Sequence, residues 1–142
     1  MQRYYRRSRE ECFDPDGWFH TGDMVCADVD GFLYFLGRRM AMIKTAGANV
    51  SPVEVEKAIT RLTGAEALVI GLPDAQRGQL VAAVIVTSEN QPVDEHALRE
   101  GLARDLSSYK IPRRIVAISA AELPRLSSGK VDGRQLPGLF DA

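Results

Sequence analysis

Little in these 142 residues points to a metal, a membrane or a polyanion. The two cysteines, Cys12 and Cys26, are too few and too far apart for a zinc motif and read as reduced thiols of a cytosolic protein. The two histidines, His20 and His96, have no ligand-type neighbour at metal-binding spacing. His20 reads as a packed or hydrogen-bonded residue and His96 as a helix-surface one, so no metal site is expected. Charge nearly cancels, with 18 Lys and Arg against 19 Asp and Glu and a net charge of −1, which removes the electrostatic case for nucleic acid or an anionic membrane. No apolar run approaches the ~20 residues of a membrane-spanning helix. The basic start, Met1 to Arg7, lacks the apolar core of a signal peptide. Internal repeats and low-complexity tracts are missing too. What remains is a cytoplasmic globular chain, 45% hydrophobic and 26% charged, long enough for one domain or for a small domain with a piece of another.

Within that frame, one stretch organises the rest: Gly37 to Glu56, G-R-R-M-A-M-I-K-T-A-G-A-N-V-S-P-V-E-V-E. It leaves an apolar run (Phe32 to Leu36), crosses the basic pair Arg38-Arg39, and carries Lys44 on a short amphipathic segment before Gly47. A helix start follows, with Ser51 as cap, Pro52 in the first turn and Glu54 three residues after the cap. A lysine held near a glycine between two rigid elements suits contact with something phosphorylated.

Upstream, residues 1 to 13 are charged with two tyrosines and read as a helix in need of a neighbour. Asp14-Pro15-Asp16-Gly17 signals a turn. Met24 to Ala27 and Phe32 to Leu36 read as strands joined at Asp28-Val29-Asp30-Gly31. This section is rich in aromatics with little to cover them, like the edge of something larger. Downstream, Val55, Ala58, Ile59 and Leu62 share a helical face and Gly64 stops that helix. Ala67 to Leu72 and Leu80 to Val86 suit strands buried on both faces. Gln76-Arg77-Gly78 is too short for a helical crossover, so the pair should be antiparallel. Asp94 caps a second helix with Leu98, Leu102 and Leu106 on the face of Gly101, and Ile115 to Ile118 makes a third strand. The expected class is α+β: a small mixed or antiparallel sheet with helices packed on it, preceded by a β-hairpin segment.

The last suggestive stretch is L-P-R-L-S-S-G-K-V-D-G-R-Q-L, Leu123 to Leu136. Pro124, Ser127, Ser128 and Gly129 read as a flexible polar loop with Lys130 beside its glycine. It is no P-loop, which needs glycine where Pro124 stands and Ser or Thr where Val131 stands. By residue type alone Lys130 is a solvated surface lysine. Asp23, likewise, could be a turn residue, Arg38 a surface cation pairing with Asp28 or Asp30, and Lys44 a solvated strand residue. Glu54 and Glu56 fit helix capping and the helix dipole.

Four segments together change that reading. D-G-W-F-H-T-G-D (16 to 23), D-G-F-L-Y-F-L-G-R (30 to 38), I-K-T-A-G-A-N-V-S-P-V-E-V-E (43 to 56) and P-R-L-S-S-G-K-V-D (124 to 132) resemble, in order and spacing, the C-terminal end of the adenylate-forming superfamily. That superfamily includes acyl-CoA synthetases, nonribosomal adenylation domains and firefly luciferase. The resemblance implies a carboxylate attacking ATP to give an acyl-adenylate and pyrophosphate, then a thiol displacing AMP. It further implies that a small C-terminal domain swings to serve the two steps. On this match Lys130 resembles the adenylation lysine, and Lys44 belongs to the opposite working face, used for thioester formation. Asp23 resembles the carboxylate on the ribose hydroxyls of AMP, with Arg38 assisting at the domain junction. Gly47, with Ala46, resembles the passage for the pantetheine arm of CoA. Arg38, Arg39 and Met40 fall at the hinge, and Met40-Ala41 depart from the acidic or lysine pivot that relatives often carry there.

The same resemblance divides the chain at 37/38, with residues 1–37 the tail of a large AMP-binding domain and 38–142 the small mobile domain. The family's phosphate loop has no counterpart here, so ATP or AMP with Mg would be bound mainly by that large domain, with CoA as co-substrate. The chain alone is expected to bind neither ATP nor the acid well. Gly47 to Pro52 is more similar to fatty or other carboxylic acyl-CoA ligases than to amino-acid-activating domains. An enzyme loading a carrier protein is the alternative, and a non-catalytic module of the same fold is a third reading. Pro124 to Lys130 fits a Pro-x-x-x-x-Gly-Lys setting that is an acetylation target in some relatives, which implies a lysine acetyltransferase as a further partner.

Overall fold

The computed structural model describes residues 4–88 and 92–141. Two compact units emerge, Met1–Met40 and Ala41–Ala142.

In the first unit a hairpin pairs β1 (Asp23–Ala27) with β2 (Leu33–Arg38). Its turn is built by Asp28, whose carboxylate accepts from the backbone N–H of Asp30 and Phe32 and from the Tyr34 hydroxyl at 2.7 Å. The Tyr34 bond, chiefly, holds the Asp28 carboxyl below its ordinary range. Asp28 is therefore engaged within its own turn. The helix expected over residues 1 to 13 is not found in the part described: residues 4–13 form turns, and Arg6 adopts a positive φ of 59°. The segment has no apolar stripe at helical spacing, so nothing offsets the entropy of ordering a short helix. Asp14 to Gly17 does turn as expected, with Gly17 N–H on the Asp14 carbonyl and Trp18 N–H on Asp14 Oδ1. The apolar residues of the unit are largely uncovered, Trp18 at 71% and Phe32 at 67% exposure among them.

The second unit is one mixed sheet. A short hairpin, β3 (Ile43–Thr45) and β4 (Ala48–Val50), leads into α1 (Pro52–Thr63). Next come β5 (Glu66–Asp74), β6 (Gly78–Thr87), α2 (Glu95–Leu102) and β7 (Arg114–Ser119). β6 is central, antiparallel to β5 and parallel to β7, and it meets β3 at Gly78. The β5–β6 pair is antiparallel, as the short connection requires.

Local signals explain both helices. Ser51 Oγ accepts from Glu54 N–H, and Gly64, at φ 72°, ends α1 in a left-handed turn. Asp94 caps α2 by accepting from Ala97 N–H. Val55, Ala58 and Ile59 are buried, but Leu62 is half-exposed at the α1–α2 crossing. There a Cβ on Gly101 would lie 3.1 Å from Leu62 Cδ1, so the glycine sets how closely the helices approach. α2 stops at Leu102, and Leu106 reaches the core from the turn beyond it.

Two cores result. Val81, Ala83 and Ile85 of β6 pack with α1 and α2 on one face. Ala82 and Val84 face Ile118, Leu123, Leu136 and Phe140 on the other. That second core, closed by the 3₁₀ turn Leu136–Phe140, was not anticipated from sequence.

The acidic residues of α1 do more than serve its dipole. Glu54 pairs with Lys110 at 2.6 Å. Glu56 accepts the Val69 N–H at 2.9 Å from the outer edge of β5, and burial pushes its carboxyl above the ordinary range. An edge strand is thus blocked by a side chain. Because the folded pKa is raised, this group favours folding when protonated, and that contribution fades as pH rises from the ordinary glutamate value through the raised one. Glu56→Gln keeps an acceptor without the charge, so it should match wild type in urea unfolding at pH 4 and equal or exceed it at pH 7. Glu56→Ala should cost about 1 kcal/mol by orphaning the N–H.

Candidate functional site

The side chains singled out by sequence fall in three places. Asp23 and Arg38 lie in the first unit, directly opposite each other in the β1–β2 register, with Arg38 Nε 3.1 Å from Asp23 Oδ1. The alternative partners, Asp28 and Asp30, are not those Arg38 uses. The Asp23 backbone N–H rests on Thr21 Oγ1 and the Arg39 N–H on the Gly22 carbonyl at 2.8 Å, so the pair sits on a braced strand end. Arg39–Ala41 is a single 3₁₀ turn, and Met40 is 97% exposed.

Lys44 lies mid-strand in β3. Ile43 and Thr45 on either side of it are buried while Lys44 is exposed, so its side chain leaves on the face away from the helices. The strand is fixed from β6: Lys44 N–H donates to Gln79 Oε1 at 2.7 Å. Gly71 makes room for that contact, since a Cβ there would come within 2.9 Å of the Gln79 amide. The hairpin turn is Ala46-Gly47, with φ values of 48° and 81°, the pattern of a type I′ turn. Ala46 N–H donates to the Arg77 carbonyl, tying this turn to the next hairpin. A Cβ on Gly47 would meet nothing within 4 Å, leaving the backbone open to an approaching chain.

Lys130 stands on a hairpin, not on the freely swinging loop expected. Gly129 N–H bonds the Leu126 carbonyl, Leu126 N–H the Lys130 carbonyl, and Asp132 N–H the Pro124 carbonyl, all within 2.9 Å. Arg125 and Val131 form a bridge, and Arg125 Nη1 donates to the Gly129 carbonyl. Gly129, at φ 80°, fills the left-handed position that a three-residue hairpin loop requires. Neither Lys130 nor Lys44 has an ion-pair partner among the described residues.

Asp132, Gln79 and Gly71 were missed by sequence reasoning. For Asp132 the signal was its place two residues after Lys130; for Gln79 and Gly71 only the strand register reveals the contact. Among the described residues no group of three or more His, Cys, Asp or Glu converges to hold a metal ion, and no helix is long and apolar enough to cross a membrane.

This α+β unit, a mixed sheet with two helices packed on it, has the fold of the C-terminal domain of adenylate-forming enzymes. The family model for the AMP-binding enzyme C-terminal domain matches residues 54–130, just over half of the chain, and the chain belongs to that family. Among its relatives, sulfoacetate–CoA ligase of Cupriavidus necator is 40% identical over 139 residues, covering 96% of this chain and 27% of that protein. Long-chain-fatty-acid–CoA ligase FadD13 of Mycobacterium tuberculosis is 37% identical over 134 residues, or 92% of this chain and 26% of that protein. The ATP-bound structure of MatB from Rhodopseudomonas palustris superposes with a TM-score of 0.78 at 34% identity, over 92% of this chain and 26% of that one. The chain thus spans about a quarter of the length of the relatives it matches.

The left-handed alanine supplies a test of the Lys44 hairpin. Ala46→Gly should raise stability to urea by about 0.5–1 kcal/mol, because an L side chain at positive φ is strained. Gly47→Ala should lower stability by a similar amount from φ alone, since the space around it is open.

Proposed function

We propose that the chain is the C-terminal part of an AMP-forming acyl-CoA synthetase. In this reading residues 1–37 are the tail of its large domain and 38–142 the small mobile one. The observation that carries the proposal is Lys130, an unpaired ammonium on a hydrogen-bonded hairpin inside a unit of this family. The separation into units at Met40/Ala41 and the uncovered aromatics of the first unit support the division.

In the first half-reaction a carboxylate oxygen of the acid attacks the α-phosphorus of ATP. The new O–P bond forms as the bond to the bridging oxygen breaks, and pyrophosphate leaves. Lys130 would lie against the acyl carboxylate and the phosphate oxygens and stabilise the charge moving toward the leaving group, without exchanging a proton. Asp23 would accept from the ribose hydroxyls, with Arg38 holding it in place. In the second half-reaction the CoA thiolate attacks the acyl carbon and AMP departs. The Lys44 face would then be in use, with Ala46-Gly47 as the turn past which the pantetheine arm threads. Mg²⁺ accompanying ATP would be held by the nucleotide and the large domain, for among the described residues no group of three or more carboxylates converges to suit it.

The acid is not restricted to fatty acids by likeness. The similar enzymes are named for sulfoacetate, long-chain fatty acids, 2-succinylbenzoate and crotonobetaine or carnitine. A cytoplasmic site of action, and acetylation of Lys130 by an acetyltransferase as an off-switch, belong to the same proposal. Removing that one charge would silence the first step alone.

The test separates the half-reactions in the longer enzyme, with its acid found by screening the acids just named for pyrophosphate release. Lys130→Ala should slow adenylation by about 10²–10³-fold, the usual cost of losing one such charge, while CoA-ester formation from supplied acyl-adenylate stays near wild type. Undiminished adenylation would sink the proposal. Turnover with a phosphopantetheinylated protein but not with free CoA would move it to carrier loading. A second variant probes the hinge. Met40→Pro should block the thioester step and spare adenylation, and equal loss of both would count against a pivot there. Arg39→Pro is the less clean choice, because it also removes the N–H that bonds Gly22.

A further inference from the structure

Beneath the Lys130 hairpin lies an unusual charge. Asp132 is buried, with its side chain 8% exposed, while its partner Arg134 is 83% exposed. Both carboxylate oxygens are taken. Oδ1 accepts from the Arg134 backbone N–H and from Nε at 2.9 Å, and Oδ2 accepts from Arg134 Nη2 at 3.0 Å and Gln135 Nε2 at 3.1 Å. The Arg134 fork, with the Gln135 amide, holds this carboxyl far below the usual range. The main chain of Asp132 works as well. Its N–H closes the open end of the hairpin on the Pro124 carbonyl, and its carbonyl accepts the Gln135 N–H at the turn leading to buried Leu136.

Residues 125–130 are all exposed, so no core contact orients them. Their placement is set at the hairpin base, where half-buried Val131 bridges to Arg125 and buried Asp132 bonds the Pro124 carbonyl.

We propose that Asp132, clamped by Arg134 and Gln135, is the positioning residue for Lys130: it fixes the base of the hairpin that carries the lysine. This rests on the reading of Lys130 as the adenylation lysine. Arg134→Gln unlocks the carboxylate from the exposed side without touching the core, and Asp132→Asn removes the charge at nearly constant shape.

The experiment compares Lys130→Ala, Asp132→Asn and Arg134→Gln in the longer enzyme, assayed in each half-reaction with the screened acid. Amide hydrogen exchange is read in parallel on the 142-residue chain. The expected result is a loss of about tenfold or more in adenylation kcat for both clamp variants, as small displacements of a reacting group cost. The thioester step should be unchanged, and exchange should quicken at Leu126 and Gly129 but not at Val84 and Ile85. A parallel fall in both half-reactions with faster exchange in β6 would show general loosening and overturn the proposal. So would loss on Arg134→Gln with full activity in Asp132→Asn, since Arg134 would then act directly. If Lys130→Ala is dead while both clamp variants run at full speed, this inference alone fails. If Lys130→Ala runs at full speed, the reading of Lys130 fails and takes this inference with it.

Discussion

The second unit depends on β6 being apolar on both faces. Successive side chains of a strand point to opposite sides, so the run Val81 to Ile85 must be covered twice, by α1 and α2 on one side and by the C-terminal segment on the other. Val81, Ala82, Ala83, Val84 and Ile85 are at most 1% exposed. Burying a valine or isoleucine side chain of this kind contributes roughly 1.5–3 kcal/mol, a large fraction of what a small domain has in total. A chain with only one covering layer would leave half of that strand in water. The C-terminal segment is therefore part of the fold, and the two lysine-bearing hairpins hang from it and from the start of β6.

Each hairpin takes its geometry from that strand in a different way. β3 is attached at one residue, Gly78, and is then steadied by the Gln79 side chain, which reaches back to the Lys44 backbone. The Lys130 hairpin has no ladder to β6; it is joined through Leu123, Val131 and Leu136, which enter the second core, and through Asp132. A polar anchor suits that second place. A purely apolar anchor would fix depth but not direction, whereas a carboxylate with donors on both oxygens fixes both.

Much of this was legible in the residues, and for definable reasons. Caps and turn glycines act within a few residues, so Ser51, Gly64, Asp94 and the Asp14-Gly17 turn could be read directly. The antiparallel β5–β6 pair followed from a connection too short to cross over. What escaped is long-range: the β3–β4 hairpin as part of the main sheet, the parallel docking of β7, and the second core made by Leu136 and Phe140. The helix expected at the N-terminus, read as one in need of a neighbour, does not form over residues 4–13, where no apolar stripe recurs at helical spacing to pack on one. At the site, residue types named the charged groups, whereas the contacts that hold them, Gln79 to Lys44 across 35 residues and Arg134 to Asp132, need coordinates.

The contrast between paired and unpaired charge is the most informative feature of the surface. Arg38, Arg61, Arg99, Lys110 and Arg134 each meet a carboxylate, and exposed pairs of this sort contribute at most about 1 kcal/mol. Stability gives little reason, then, for pairing one cation and leaving another alone. Lys44 lies on the strand entering the Ala46-Gly47 turn and Lys130 directly follows Gly129, and each has its backbone hydrogen-bonded while its side chain is exposed. Holding the main chain and freeing the charge limits the reorganisation needed when an anion arrives, which is how a preorganised electrostatic contact gains over a mobile one. A lysine tethered to a neighbouring carboxylate would have to break that contact first.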